Sequence, residues 1–452
     1  MTANAMFAKR IFKDWGVGEL PYGRRVFEIS ERSFCSYARG VPDFVAPDQP
    51  PTDLPAGVRL PRALLYATSA GFGGPGLHLT SLQSALAAHE AGILKRAIGY
   101  TDDQSLIPHD RIRSLAAHPV RLLSGLGSAR YYGAKKRYVD WIASRELASG
   151  KYDCFHGWSG DCLRSLLVAR QRGIPSLLEI PTWHRNKGQH KRFETKTERE
   201  MRARSGWRAR LDQLPPSRQR VLLEYDLADF ILVQSTYAAE TFVAAGIPAG
   251  KIIIVARGAD VEKFTPASAP PPVFRAVFAG ALIRRKGVHH LLEAWQSLGL
   301  KEAELWLVGS VHAEVEAALR ASATSSVKVL GFSNDLPGLL RQASVFVFPS
   351  ECEGWAKVTF EAAAAGLPMI GTRESGDGVI DGVTGWLVPA NDPKALAERL
   401  DHAYHHRDQL PAMGAASRRR VVDGYQWHHF RQRLRHAWAR AAASRPASDS
   451  PL

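Results

Sequence analysis

Short apolar runs alternate with segments of helical periodicity along most of the chain. In the first half, Ala63 to Ala67, Tyr152 to His156, Ile174 to Ile180 and Ile252 to Ala256 read as buried strands, and Tyr225 to Ser235 as a helix end leading into another. In the second half, Ala276 to Ala279, Leu305 to Val308, Val327 to Leu330, Val345 to Phe348 and Met369 to Gly371 read the same way. The segments between them carry apolar stripes at helical spacing: Leu79, Leu82 and Leu86 on one, Val288, Leu291, Leu292 and Trp295 on another. Continuous apolar strands separated by amphipathic helices predict parallel sheets joined by crossover helices. The alternation breaks once, at Pro266 to Pro272, where four prolines among small residues predict a linker. At 452 residues the chain is also too long for one ordinary core. The expectation is therefore an α/β protein of two Rossmann-like, doubly wound domains, over residues 59–265 and 273–425. Residues 1–58, ending in the proline-rich Pro47 to Pro55, read as an N-terminal extension and linker. Residues 426–452 read as a basic amphipathic helix and a frayed tail.

Three turns between strand and helix are chemically marked. Ser69 to Gly76 is a glycine-rich loop after the first strand, with Gly73 and Gly74 free to let a polar ligand approach the backbone. An ordinary tight turn explains it equally well. Phe278-Ala279-Gly280-Ala281-Leu282-Ile283-Arg284-Arg285-Lys286-Gly287 takes a strand through a basic turn into a helix. Cations beside free helix amides suit a diphosphate. The third stretch, Phe346 to Gly366, reads as strand, turn and alanine-rich helix, with Glu353 and Glu361 eight residues apart. On one helix they would lie about 80° apart in azimuth and about 12 Å apart along the axis. Across a strand-turn-helix unit the first sits at the helix mouth and the second two turns in. Both can then face the crevice beyond the strand's carboxyl end, where open α/β sheets bind ligands.

Composition narrows the partners. The net charge is +15, and residues 184–220 hold twelve Lys or Arg against four acidic residues, a local +8. Such a patch attracts an anionic lipid surface, a phosphorylated substrate or nucleic acid, or is a solvated helical face. No recognition helix or RNA-binding module accompanies it, so nucleic acid is not expected as a partner. Cys35, Cys154, Cys162 and Cys352 show no metal-ligand spacing and read as free thiols. The adjacent pairs His289-His290, His405-His406 and His428-His429 should diverge by about 100° on a helix, so no metal site is expected. There is no serine elbow or triad pattern. No apolar run of membrane-spanning length occurs, and Met1 to Arg10 is not followed by an apolar leader core.

The motif Pro349-Ser350-x-x-Glu353-Gly354-Trp355, the Glu353-x7-Glu361 spacing and the following Ala-x-x-x-Gly-x-Pro resemble the retaining GT-B glycosyltransferases of the glycosyltransferase 4 family. The resemblance spans about residues 60 to 440 and is densest in the second half. It implies two domains around a cleft, the nucleotide-sugar donor in the C-terminal one and a lipid-linked or saccharide acceptor mainly on the N-terminal one. By the same resemblance Glu353 contacts sugar hydroxyls, Glu361 the ribose and Lys286 the diphosphate. Gly280, Arg284, Arg285, Gly331, Phe332, Gly354, Trp355, Ala356 and Lys357 complete the implied donor site, with Lys286 and Glu353 as its catalytic pair. Gly73, Gly74 and His156 are implied on the cleft side. The last helix is implied to cross back onto the N-terminal domain. No cofactor and no divalent ion are implied, and a place in polysaccharide or glycolipid synthesis follows. With the basic segment at 184–220, the resemblance suggests a cytoplasmic protein peripheral to the inner face of a membrane. Four positions depart from the family pattern. Ala281 stands where an arginine is common, Trp158 where the second histidine of His-x-His is common, and Ala356 and Lys357 replace a glycine and an apolar residue. A nucleotide-sugar epimerase or a sugar-phosphate synthase would share the donor site and remains an alternative, as, more remotely, does a basic nucleic-acid-binding protein.

Overall fold

The structure is a computed structural model and describes Phe44, Asp48 and residues 50–117, 128–184 and 218–444. Most of the 1–58 extension and nearly all of the basic 184–220 segment lie outside the described residues. Seven strands form the first sheet: β1 (Leu64–Ala67), β2 (Leu94–Gly99), β3 (Ile112–Ser114), β4 (Cys154–Trp158), β5 (Ser176–Glu179), β6 (Phe230–Val233) and β7 (Ile252–Ile254). Their order is β3-β2-β1-β4-β5-β6-β7, all parallel. Six form the second: β8 (Phe274–Ala279), β9 (Ala303–Val308), β10 (Val327–Gly331), β11 (Val345–Phe348), β12 (Met369–Gly371) and β13 (Gly385–Leu387). Their order is β10-β9-β8-β11-β12-β13, again all parallel. In both sheets the strand order reverses beside the first strand, the topological switch point at which doubly wound folds bind ligands.

The described helices of the first half are α1 (Leu77–Glu90), α2 (Ser128–Ala148), α3 (Leu163–Gln171), α4 (Arg218–Leu227) and α5 (Thr236–Val243). Those of the second are α6 (Val288–Leu298), α7 (Ala313–Ala321), α8 (Leu336–Leu340), α9 (Lys357–Ala364), α10 (Pro393–His405) and α11 (Leu410–Gly424), and α12 (Trp427–Ala443) closes the fold. Both faces of the first sheet are covered, because alternate residues of a strand point to opposite sides. Leu65 and Ala67 of β1 pack with Val139 of α2, Leu166 of α3 and Tyr225 of α4. Leu64 and Tyr66 pack with Leu82 of α1 and with Phe430, Leu434 and Trp438 of α12. The last helix thus buries its apolar stripe in the N-terminal core, and Arg431 ties it to Glu90 of α1 at 3.0 Å.

The proline-rich stretch before β1 is strapped to the C-terminal helices. Asp48 accepts from Arg420 Nε at 2.8 Å and from the Tyr425 hydroxyl at 2.7 Å. The carbonyl of Thr52 contacts His436 Nε2 at 2.8 Å, and Asp53 accepts from Gln432 at 3.2 Å. Three strands escape the apolar pattern for physical reasons. Lys95 and Arg96 interrupt β2, and two of the three β3 residues are exposed. Gly385 opens β13 at φ 148, where a Cβ would lie 1.9 Å from the Met369 carbonyl oxygen. The run Val327 to Leu330, read as buried, is an edge strand with exposed Lys328, Val329 and Leu330.

Candidate functional site

In a parallel sheet every strand ends on the same edge, so the marked turns collect there. On the C-terminal sheet, β8, β9 and β10 end in or against Gly280, Gly309 and Gly331. The Gly280 amide bonds Val308 O at 2.8 Å and the Gly309 amide bonds Gly331 O at 2.7 Å. A Cβ on Gly309 would stand 2.0 Å from Gly280 O, so only glycine lets the strand ends pack this closely. The basic turn follows. Arg284–Lys286 is one 3-10 turn, Gly287 takes the left-handed conformation (φ 71), and α6 starts at Val288 without a side-chain cap. Its first amides are therefore free for an anion. Lys286 folds back so that a Cβ on Gly280 would meet its Nζ at 2.8 Å, and the ammonium lies 5.5 Å from the centre of the Phe348 ring. Burial lowers the Lys286 pKa from its ordinary value, with help from Arg285 and against the pull of Glu353.

Arg285 is already engaged. Its Nη1 contacts Glu353 Oε1 at 2.9 Å and also donates to the Cys352 carbonyl, and its guanidinium lies 5.3 Å from the Trp183 ring. Arg284 is exposed; its backbone amide bonds Glu314 at 3.3 Å and its carbonyl accepts from the Gly287 amide at 2.7 Å. Glu353 is held at the helix mouth by its amide, which bonds Glu374 O at 2.7 Å. Helix α9 begins at Lys357, two residues later than a helix starting directly after Gly354, so Glu361 is its fifth residue rather than two turns in. Glu361 is 7 % exposed and accepts from Lys357 Nζ at 2.5 Å. Ala356, extended, precedes α9 without a side-chain cap, which leaves a second set of helix amides beside the two carboxylates. Phe332, just beyond Gly331, is 79 % exposed. It offers an aromatic face at the rim of the same edge.

The N-terminal sheet turns its own carboxyl edge toward these groups. A Cβ on Gly354 would lie 2.6 Å from Thr182 Cα and 2.7 Å from Pro181 O, in the turn after β5. Ser235, at the end of β6, donates to Gly354 O at 2.7 Å and caps α5 through the Ala238 amide. Beside it, the Thr236 amide bonds Asp377 at 3.0 Å, the Tyr237 hydroxyl reaches Cys352 Sγ at 3.8 Å, and Arg373 pairs with Glu240. The two strand edges thus face each other across these contacts. The glycine loop after β1 lies on the N-terminal edge, shaped by Gly73 (φ 103), whose Cβ would strike Asp103 O at 2.5 Å, and by exposed Gly74 (φ 87).

Two implied site residues lie elsewhere. His156 is fully buried inside β4, edge-on to Tyr66 at 5.0 Å and Trp438 at 6.1 Å, with Nε2 3.5 Å from Glu179. The helix α12 roofs it, so it is a core residue and not a cleft residue. Trp158, in the second histidine position, is buried too and donates to the Tyr66 hydroxyl at 2.7 Å. The Trp355 indole stacks on Phe360 at 4.4 Å inside the C-terminal core, leaving only its backbone for a ligand. Sequence reasoning missed Trp183, Ser235, Thr236 and Asp377, which join the domains; a tryptophan in the Pro-Thr-Trp-His run after a strand was the one available signal. The expected divergence of neighbouring histidines also fails at His289 and His290, whose rings lie 3.8 Å apart. Side-chain torsions, as well as backbone azimuth, decide where imidazole nitrogens go.

Residues 273–406 match the family described as Glycosyl transferases group 1. The chain is 28% identical over 156 residues to the capsular polysaccharide biosynthesis glycosyltransferase CapM of Staphylococcus aureus, covering 33% of this chain and 41% of that one. The chain spans about half the length of the curated relatives it matches. Among solved structures, sucrose-phosphate synthase from Thermosynechococcus elongatus superposes with a TM-score of 0.60 at 20% identity, over 86% of this chain and 100% of that one. Anabaena Alr3699/HepE in complex with UDP gives 0.59 at 16% identity, over 83% and 99%. At such identities the likeness concerns the fold. Residues 273–406 thus match a glycosyl transferases group 1 domain, and the two parallel-sheet domains together have a GT-B fold.

Proposed function

We propose that the protein is a retaining glycosyltransferase of the glycosyltransferase 4 type. It moves a hexose from a nucleotide sugar to a lipid-linked or saccharide acceptor in polysaccharide or glycolipid synthesis. The observation that carries this reading is Lys286 Nζ folded against Gly280 with Glu353 close enough to act on its charge, and Glu361 buried in the helix that follows the neighbouring strand. Lys286 and the uncapped amides of α6 meet the charge that grows on the leaving diphosphate, an electrostatic role that needs no metal ion at the phosphates. Glu361, fixed by Lys357, binds the ribose, and Phe332 stacks on the base. Glu353 orients the sugar hydroxyls once Arg285 yields, and the N-terminal edge holds the acceptor. The part of CapM in capsular polysaccharide biosynthesis and the UDP bound to HepE support the class of donor and product. The basic segment at 184–220 supports docking to an anionic membrane surface on charge alone; no described helix is long and apolar enough to cross a membrane.

The test is transfer from a panel of UDP- and GDP-sugars to lipid and oligosaccharide acceptors, with the product's anomeric configuration read by NMR. Retention, with loss of transfer in Lys286→Ala and Glu361→Ala, is expected. An inverted product, or transfer at the wild-type rate in both variants, overturns the reading. Salt-sensitive co-sedimentation with anionic vesicles over neutral ones tests the membrane arm.

A further inference from the structure

We propose that His289, His290 and Glu351 form a site for one divalent ion of the zinc class, clasping the start of α6 to the loop after β11. The three residues each offer a ligand atom, and these atoms all lie within 4.8 Å of one another. Both Nδ1 atoms are buried and have no hydrogen-bond partner. His290 Nε2 faces Asn391 Oδ1 at 3.2 Å. An amide oxygen can only accept, so Nε2 carries the proton and Nδ1 is left with its lone pair. A second partner that fixes the tautomer in this way is what metal-bound histidines have. Asn391 itself is held in the left-handed region, at φ 62.

The loop side is equally prepared. The Glu351 amide bonds Arg285 O at 2.8 Å, and the Ser350 hydroxyl bonds the same oxygen at 3.2 Å. Arg285 spends its guanidinium on Glu353, the Cys352 carbonyl and Trp183. Among the described residues the Glu351 carboxylate takes no ion pair.

Two imidazole nitrogens and one carboxylate oxygen suit zinc or a similar borderline ion; magnesium and calcium prefer oxygen throughout. With metal–ligand bonds of about 2.0 Å, tetrahedral ligands stand about 3.3 Å apart. Side-chain rotation can therefore close the triad, leaving a fourth position for water. The helix start and Arg284 oppose a cation here; the charge of Glu351 offsets them. An ion so held pins Glu351, two residues from Glu353, and couples the loop after β11 to α6. The proposal does not depend on the transfer reaction.

The experiment uses the full chain, stripped with a chelator and titrated with zinc chloride against a chromophoric competitor. Cobalt(II) visible spectra report the ligand set. The expected result is one tight equivalent, weakened about tenfold or more by Glu351→Gln and by His290→Ala, with a zinc-dependent rise in melting temperature lost in both. His405→Ala, at an exposed histidine outside the triad, serves as the surface-histidine control and should leave the tight equivalent intact. Should His290→Ala fold poorly, Glu351→Gln decides the matter, since its melting without zinc should equal that of the wild type. No tight equivalent, or one that survives Glu351→Gln, overturns the proposal.

Discussion

Gly354→Ala is a one-carbon test of how closely the two strand edges meet. The new Cβ would lie 2.6 Å from Thr182 Cα, 2.7 Å from Pro181 O and 2.8 Å from Thr182 C, whereas ordinary contact begins near 3.4 Å. All three are backbone atoms, so no side chain can swing away, and the loops must part by about 0.8 Å. Overpacking of this kind costs about 1–3 kcal/mol. Losing the Ser235 bond to Gly354 O adds about 1 kcal/mol. For a domain of this size the sum corresponds to a melting decrease of about 4–16 °C. Nucleotide affinity, read from the C-terminal domain, should change by less than about threefold. Transfer between donor and acceptor should fall about ten- to a hundredfold, the effect of an ångström-scale misplacement. Calorimetry, nucleotide titration and initial-rate transfer measure the three quantities. Gly250→Ala, where a Cβ meets nothing within 4 Å, is the control and should be nearly neutral. Wild-type melting and transfer in Gly354→Ala would refute the closeness of the two edges.

Other predictions follow from burial and exposure. Phe332→Ala should leave melting unchanged because the ring is exposed, yet weaken nucleotide binding about five- to fiftyfold through lost stacking on the base. Burial places the Lys286 pKa below that of an ordinary lysine. Diphosphate affinity should therefore begin to fall at a lower alkaline pH than a free lysine would dictate, and Lys286→Arg should move that limb upward. Glu224, buried in the N-terminal core, is pushed from 4.5 up to about 8 by desolvation, against amides of Gly160 and Cys162 that favour its charged form. Its folded-state pKa exceeds the unfolded one. Its contribution is thus fully present below about pH 4.5 and lost as pH rises through 8. Chemical denaturation across that window should show stability falling by a few kcal/mol in the wild type and a flatter profile in Glu224→Gln; an identical slope counts against the buried carboxyl.

The second domain was legible because its chemistry lies in contiguous strand-turn-helix units. Gly280 to Gly287 and Phe348 to Glu361 carry glycine, charge and apolar stripe in one short stretch each. What sequence could not supply were pairings between distant segments. Ser235 meeting Gly354, Thr236 meeting Asp377 and Trp183 under Arg285 are separated by a hundred residues or more, and no local pattern encodes them. His156 misled for a related reason. A polar residue ending an apolar run looks like a cleft residue until α12, nearly three hundred residues later, is seen to cover it. Trp355 misled because an aromatic beside a motif glutamate reads as a ligand platform, while Phe360 claims its face. Strand β2 was hidden by Lys95 and Arg96, which a partly exposed strand tolerates.

On the proposed reading, the carboxyl edge of the C-terminal sheet binds a nucleoside diphosphate sugar through Lys286 and Glu361. Equilibrium titration of wild type, Lys286→Ala and Glu361→Ala with UDP, GDP and their sugars tests it most directly. The wild type should bind at least one of these saturably and each variant should lose about tenfold or more in affinity, with melting little changed in Lys286→Ala. Failure of the wild type to bind any member, or equal affinity in all three proteins, would contradict it.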